Sequence, residues 1–206
     1  MNNFIFFDSK KNMDAETVAF ILERANSSIK ERGVFSLVFS GGKTPISLFK
    51  LMTNKLYKSV FPWKKIHIFW SDERCVAPEN THSNYGKVLE TLLSKVPLPK
   101  ENIHRIYGEL SSENAANLYE TELHNFFEKY PQTNSDFDLI LLGMGTDGHT
   151  ASLFPETIIE FIQKKQLVAA VSAPKAIEPK ISRVTLTYSG LDNSRDILFL
   201  VTGQEK

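Results

Sequence analysis

The chain has 206 residues, and its 24 lysines and arginines are balanced by 24 aspartates and glutamates, so the formal net charge at pH 7 is +0. That balance excludes a global field that would draw in nucleic acid or an acidic membrane. Apolar residues at 42% and charged residues at 23% are the usage of a globular protein, expected here as one domain over residues 1–206. A single cysteine, Cys75, leaves no internal disulfide, and the cysteine and histidine spacings do not match a zinc site. The N-terminus lacks a signal-peptide pattern, and no apolar run approaches the about 20 residues of a membrane span, so a cytoplasmic protein is expected.

Residues 4–7 read as a strand. Asp14 is placed to cap a helix running to about Arg32, with Gly33 as its stop. Residues 34–39 form an apolar strand and residues 40–44 its turn, and Pro45 suits the first position of a helix over 46–52. A strand at 66–70 is followed by a long polar loop over 71–83, then a helix over 84–93. Ser111 or Ser112 caps a helix from Glu113 to about Tyr130. Residues 139–142, 167–171, 184–187 and 197–201 complete the strands, and residues 174–180 are a loop. The strands are apolar runs more than strict alternations, as expected of strands buried on both faces. Alternation with helices predicts an α/β fold: a doubly wound, mostly parallel sheet with helices on both faces. Lys206 falls soon after a strand and a glycine, where a helix would normally cover the sheet. The sequence is therefore expected to stop short and leave an apolar face uncovered.

Ligands of such sheets bind beyond the carboxyl ends of strands. Three motifs follow apolar strands and are expected to meet there. Ser40-Gly41-Gly42-Lys43-Thr44-Pro45 leads into a helix N-terminus, where glycines expose backbone N–H groups to a phosphate; it lacks the glycine spacing of a Walker A loop. Ser71-Asp72-Glu73-Arg74 offers a guanidinium suited to phosphate or to a developing oxyanion, with Asp72 to orient it or a substrate hydroxyl, and Asn84 follows. Gly143 to His149 joins a glycine-rich turn to a lone histidine two residues after Asp147, the side chain best suited to proton transfer near neutral pH. His67, His104 and His124 lie in or near regular elements and read as packing or surface residues. No Gly-x-Ser-x-Gly elbow is present. The tryptophans and the 15 phenylalanines read as core.

Taken together, the segments SGGKTP, WSDERCVAPENTHSNYG and DLILLGMGTDGHTASLFP closely resemble the 6-phosphogluconolactonases, with weaker likeness in RVTLTYSGLDNSRDILFLVTG and the closing residues 203–206. The resemblance implies a fold like that of glucosamine-6-phosphate deaminase. It also implies hydrolysis of 6-phosphogluconolactone in the oxidative pentose phosphate pathway, without metal or cofactor. On it, His149 is the general base with Asp147 holding its ring. Arg74 contacts substrate or stabilises charge, and Gly41, Gly42, Lys43 and Thr44 form the phosphate cradle. Asp72 and Asn84 join the substrate site, and Arg183 and Lys206 are phosphate partners. The implied partner is a phosphorylated sugar lactone, bound by a monomer or small homo-oligomer with no nucleic acid or membrane. The related deaminases/isomerases carry a glutamate where Phe154 stands here, and an Asp-Glu-Tyr where this chain has Asp-Glu-Arg. Sugar-phosphate sensor domains, a non-catalytic alternative, usually carry a DNA-binding segment, and no basic helix-turn-helix appears here.

Overall fold

The computed structural model describes residues 4–157, 165–174 and 177–203. Helix α1 (Lys10–Arg32) begins earlier than expected, because Ser9 and not Asp14 is its cap: the Ser9 hydroxyl accepts from the Asn12 amide at 3.2 Å. Asp14 is buried within the helix and pairs with Lys10 at 2.9 Å. Gly33 ends the helix at φ 84°, a left-handed conformation that favours glycine, and its N–H donates to the Ile29 carbonyl at 3.0 Å.

After α1 come β1 (Phe35–Phe39), α2 (Pro45–Met52), α3 (Lys55–Val60), β2 (Ile66–Trp70), β3 (Asp72–Arg74), α4 (Asn84–Thr91) and α5 (Ser112–Lys129). Then follow β4 (Phe137–Leu142), β5 (Val168–Val171), β6 (Arg183–Leu186), a short α6 (Tyr188–Asp192) and β7 (Ser194–Phe199). Strands β2-β1-β4-β7 form a parallel sheet in that order. Every residue of β1, β2 and β4 is buried, so layers cover both faces, as their uninterrupted apolar character requires. The expected mostly parallel α/β sheet is present.

Several expectations change. Residues 4–7 are not a strand: Phe4 and Phe6 are 85% and 91% exposed, and no described strand pairs with them. An apolar run cannot hold a strand without a partner for its backbone groups. The segment 71–83 is not all loop, since Asp72–Arg74 is a strand. It joins β6 and β5 in a second, antiparallel sheet of order β3-β6-β5, so these strands do not extend the parallel one. Helices α3 and α6 were not anticipated. Lys175 and Ala176 of the 174–180 loop, and residues 204–206, lie outside the described residues. Ile197 and Phe199 of β7 are exposed.

Glu73 ties the start of α4 to β3. Its buried carboxylate accepts from the amides of Arg74, Asn84 and Tyr85, each at 2.7 Å, and from the Ser83 hydroxyl at 3.1 Å. Burial raises its pKa against the pull of those backbone bonds. On the other side, His67 (β2) and His104 stack among Phe69, Phe126 and Tyr130. The His104 Nδ1–H donates to Glu122 at 2.5 Å, which leaves its Nε2 to accept from His67 Nδ1 at 2.9 Å. Burial, with His104 and Lys129 nearby, lowers the His67 pKa from 6.5 to about 3.

Two outcomes are expected. Glu73→Ala leaves several buried amides without an acceptor and should cost about 2–4 kcal/mol, read as a lower urea midpoint. His67 stays neutral in the fold but takes a proton in the unfolded chain below about pH 6.5, so the unfolded state binds more protons. Stability contributed by this group is therefore lost as pH falls from 6.5 toward 3. His67→Phe should flatten the drop in urea midpoint between about pH 7 and 5; an unchanged slope would assign that acid sensitivity elsewhere.

Candidate active site

The strand order reverses between β1 and β4: the chain passes from β1 to β2 on one side and places β4 on the other. Such a switch leaves a crevice beyond the carboxyl ends of the two strands. A cavity of about 230 Å³ lies there. Its walls come from all three motifs: the 40–45 turn after β1, the 143–145 turn with His149 after β4, and Asp72, Arg74 and Arg183 from the antiparallel sheet.

The turn after β1 needs its glycines for two different reasons. Gly42 has φ 94°, and a Cβ on Gly41 would stand 2.0 Å from the Asn84 side-chain oxygen. Pro45 then opens α2 as expected, and the Thr44 hydroxyl bonds that of Thr202 at 3.2 Å. Gly41, Gly42, Lys43 and Thr44 all line the cavity. Asn84 does not. It is buried behind the wall, its amide donating to the Asp72 backbone oxygen at 3.0 Å and carboxylate at 3.2 Å.

The turn after β4 wraps around His149. The Gly145 N–H donates to the His149 carbonyl at 2.7 Å, and a Cβ on Gly145 would meet the imidazole at 2.3 Å. Gly148 has φ 84°, and Ala151 takes φ 49° without being glycine, a backbone cost the surrounding bonds must offset. The His149 Nδ1–H donates to Asp147 Oδ1 at 2.5 Å. Desolvation opposes the charged form of Asp147, but the bonds from the His149 ring and backbone outweigh it and lower its pKa. Asp147 is not a wall residue; it acts on the cavity only through the ring. Committing Nδ1 in this way leaves Nε2 as the basic nitrogen. The buried Phe154 ring lies 4.8 Å from the imidazole on one side of it and 5.4 Å from the Arg183 guanidinium.

Arg74 and Arg183 are directly opposite in the β3–β6 register, as are Asp72 and Thr185. Like charges placed so are unfavourable. Arg183 is only 3% exposed, and burial followed by the nearby Arg74 lowers its pKa. Arg74 donates to the His82 carbonyl at 2.9 Å. Neither arginine enters a salt bridge among the described residues, and the Nε of each is buried without a partner. Two cations with no salt-bridge partner among the described residues are arranged for an anion from outside the chain. Lys206 lies outside the described residues. Among them, no cluster of three or more His, Cys, Asp or Glu side chains is spaced to hold a metal. Sequence reasoning missed Ser152 and Thr185, both fully buried and bonded into this network. Ser152 lies inside the histidine motif, but nothing in its spacing marks it.

A family model described as glucosamine-6-phosphate isomerases/6-phosphogluconolactonase matches residues 8–206. The chain is 36% identical over 206 residues to 6-phosphogluconolactonase 3, chloroplastic, of Arabidopsis thaliana, covering 97% of this chain and 62% of that protein. It is also 36% identical over 193 residues to the 6-phosphogluconolactonase of Thermotoga maritima, covering 92% of this chain and 80% of the relative. The crystal structure of the T. maritima enzyme superposes with a TM-score of 0.80 at 34% identity, over 93% of this chain and 81% of that one. A 6-phosphogluconolactonase from Shewanella baltica gives 0.81 at 30% identity, over 97% and 80%. With its parallel sheet, its switch-point cavity and these relatives, the chain belongs to the glucosamine-6-phosphate isomerase/6-phosphogluconolactonase family.

Proposed function

We propose that the protein hydrolyses 6-phospho-D-glucono-1,5-lactone to 6-phospho-D-gluconate, the lactonase step of the oxidative pentose phosphate pathway, with His149 as general base. The observation that carries this reading is one cavity holding an imidazole whose Nδ1 is committed to Asp147, beside two arginines with no salt-bridge partner among the described residues. Named lactonase relatives support it.

In the proposed reaction, His149 Nε2 takes a proton from water as the hydroxide oxygen attacks the lactone carbonyl carbon. The negative charge that develops on the carbonyl oxygen faces Arg74. When the tetrahedral intermediate collapses, the bond from the carbonyl carbon to the ring oxygen breaks, and that oxygen takes the proton back from His149. The new carboxylic acid then ionises. Asp147 keeps the ring in one tautomer and favours its transient cation. The phosphate, remote from the reacting carbon, sits against the Gly41–Thr44 turn and Arg183, with Lys206 as a further proposed partner, and its binding energy positions the lactone. Asp72 lines the same wall as a candidate for a sugar hydroxyl, and Asn84 supports it from behind. Cytoplasmic action as a monomer or small homo-oligomer belongs to the same proposal.

Phe154 speaks against the deaminase/isomerase alternative. Moving a proton between sugar carbons needs a further carboxylate near the histidine, and an aromatic ring fills that position here. A purified-protein assay with fresh lactone separates the readings: lactone turnover is expected, whereas ammonia release from glucosamine 6-phosphate would overturn the proposal.

Two variants probe the roles. His149→Ala should lower kcat by about 10²–10⁴ while 6-phosphogluconate still binds, as calorimetry would show; turnover near the parent's removes His149 as base. Arg183→Met should raise KM for the phosphorylated lactone by about tenfold or more while changing turnover of unphosphorylated gluconolactone little.

A further inference from the structure

The Asp72 carboxylate poses a problem for this site. Asp72, Arg74, Arg183 and Thr185 share one face of the β3–β6 pair, since Asp72 and Arg74 are two residues apart and their cross-strand partners are Thr185 and Arg183. Asp72 lines the same cavity as both guanidiniums, yet it forms a salt bridge with neither. An aspartate free to turn would be expected to pair with one of them.

Its oxygens are already engaged. Asp72 Oδ2 accepts from the Ser152 hydroxyl at 2.8 Å, and Oδ1 accepts from the Asn84 amide at 3.2 Å. Ser152 is fully buried, and its own N–H donates to the Thr185 hydroxyl at 3.2 Å, so its direction is set by the sheet that carries the arginines. Both donors to Asp72 are neutral. They satisfy its oxygens without adding positive charge and without drawing on either arginine.

We propose that Ser152 is a positioning residue of the anion site: its hydroxyl holds the Asp72 carboxylate away from Arg74 and Arg183, so that both guanidiniums stay available to the oxygens of a phosphorylated ligand. The role rests on the anion-binding part of the proposed function and deepens it. Without the Ser152 hydroxyl, Asp72 Oδ2 loses its donor and turns to the arginines, and phosphate must then displace a carboxylate of the same chain. The apparent affinity falls by the fraction of molecules in which the arginines remain open.

The test is calorimetric titration of the full chain with inorganic phosphate, together with steady-state kinetics. Ser152→Ala should weaken phosphate binding and raise KM for the phosphorylated lactone by about tenfold, and kcat should fall to the extent that the turned carboxylate also engages Arg74. Adding Asp72→Asn to Ser152→Ala removes the competing charge and should restore phosphate affinity to the parent's or better. A plain structural role for Ser152 would not give that recovery. If Ser152→Ala does not fold, Ser152→Cys carries the test, since a thiol is close in size but a weak donor, and the same loss and recovery are expected at smaller amplitude. Unchanged phosphate affinity in the single variant, no recovery in the double variant, or no phosphate binding by the parent would each overturn the inference. A parent that binds phosphate with the expected variant pattern but leaves the lactone intact would refute the lactonase reading and keep the role of Ser152.

Discussion

Ser71 joins the two sheets, and the cavity depends on that junction. Its N–H donates to the Phe39 carbonyl at the end of β1, at 2.8 Å, and its carbonyl accepts from the Leu186 N–H of β6, at 2.7 Å. The chain therefore leaves the parallel sheet and enters the antiparallel one within a single buried residue. The Ser71 hydroxyl also bonds that of Ser40, the first residue of the glycine turn, at 2.8 Å. The turn that follows β1 and the arginines of β3 and β6 thus share one anchor. A site whose charges must meet a substrate at fixed separations gains from being hung on strands and not on mobile loops.

Around that anchor, the polar groups divide into those that face the cavity and those that hold them. Glu73 points away from it and gathers the amides that begin α4, while Asp72 and Arg74 on either side face in, as the alternation of a strand demands. The site tolerates unfavourable local features: like charges opposite one another at Arg74 and Arg183, and a left-handed Ala151. Such features persist where the surrounding structure over-determines them, and binding sites are where they concentrate. Here the surroundings are a buried aromatic ring, Phe154, near both the imidazole and the Arg183 guanidinium, and bonds from Ser152 to both Asp72 and Thr185.

Much of this was legible in the sequence. The central parallel strands β1, β2 and β4 were visible as apolar runs, because a strand buried on both faces has no polar side to show. The loops that line the cavity were visible because glycine and proline mark turns at strand ends whatever the distant contacts. β3 was not legible. Asp72-Glu73-Arg74 is short and charged, and it is a strand only because β6, over a hundred residues later, supplies hydrogen bonds to it. The opposite error occurred at Phe4–Phe7, where strong β-propensity found no described partner. The start of α1 was misplaced because Ser9 and Asp14 are both good caps, and local chemistry does not choose between them.

The sequence by itself determined the layered α/β class, the three strand-end motifs and the type of chemistry each offers, because these follow from periodicity and side-chain chemistry within a few residues. Tertiary structure alone decided which groups meet. It brought Arg183 opposite Arg74, put Asn84 behind the wall and not on it, kept Asp147 outside the cavity, and drew Ser152 into contact with Asp72. Those outcomes depend on the register of two sheets and on the point where the chain passes between them, and register is set by the packing of the whole core and not by any one segment.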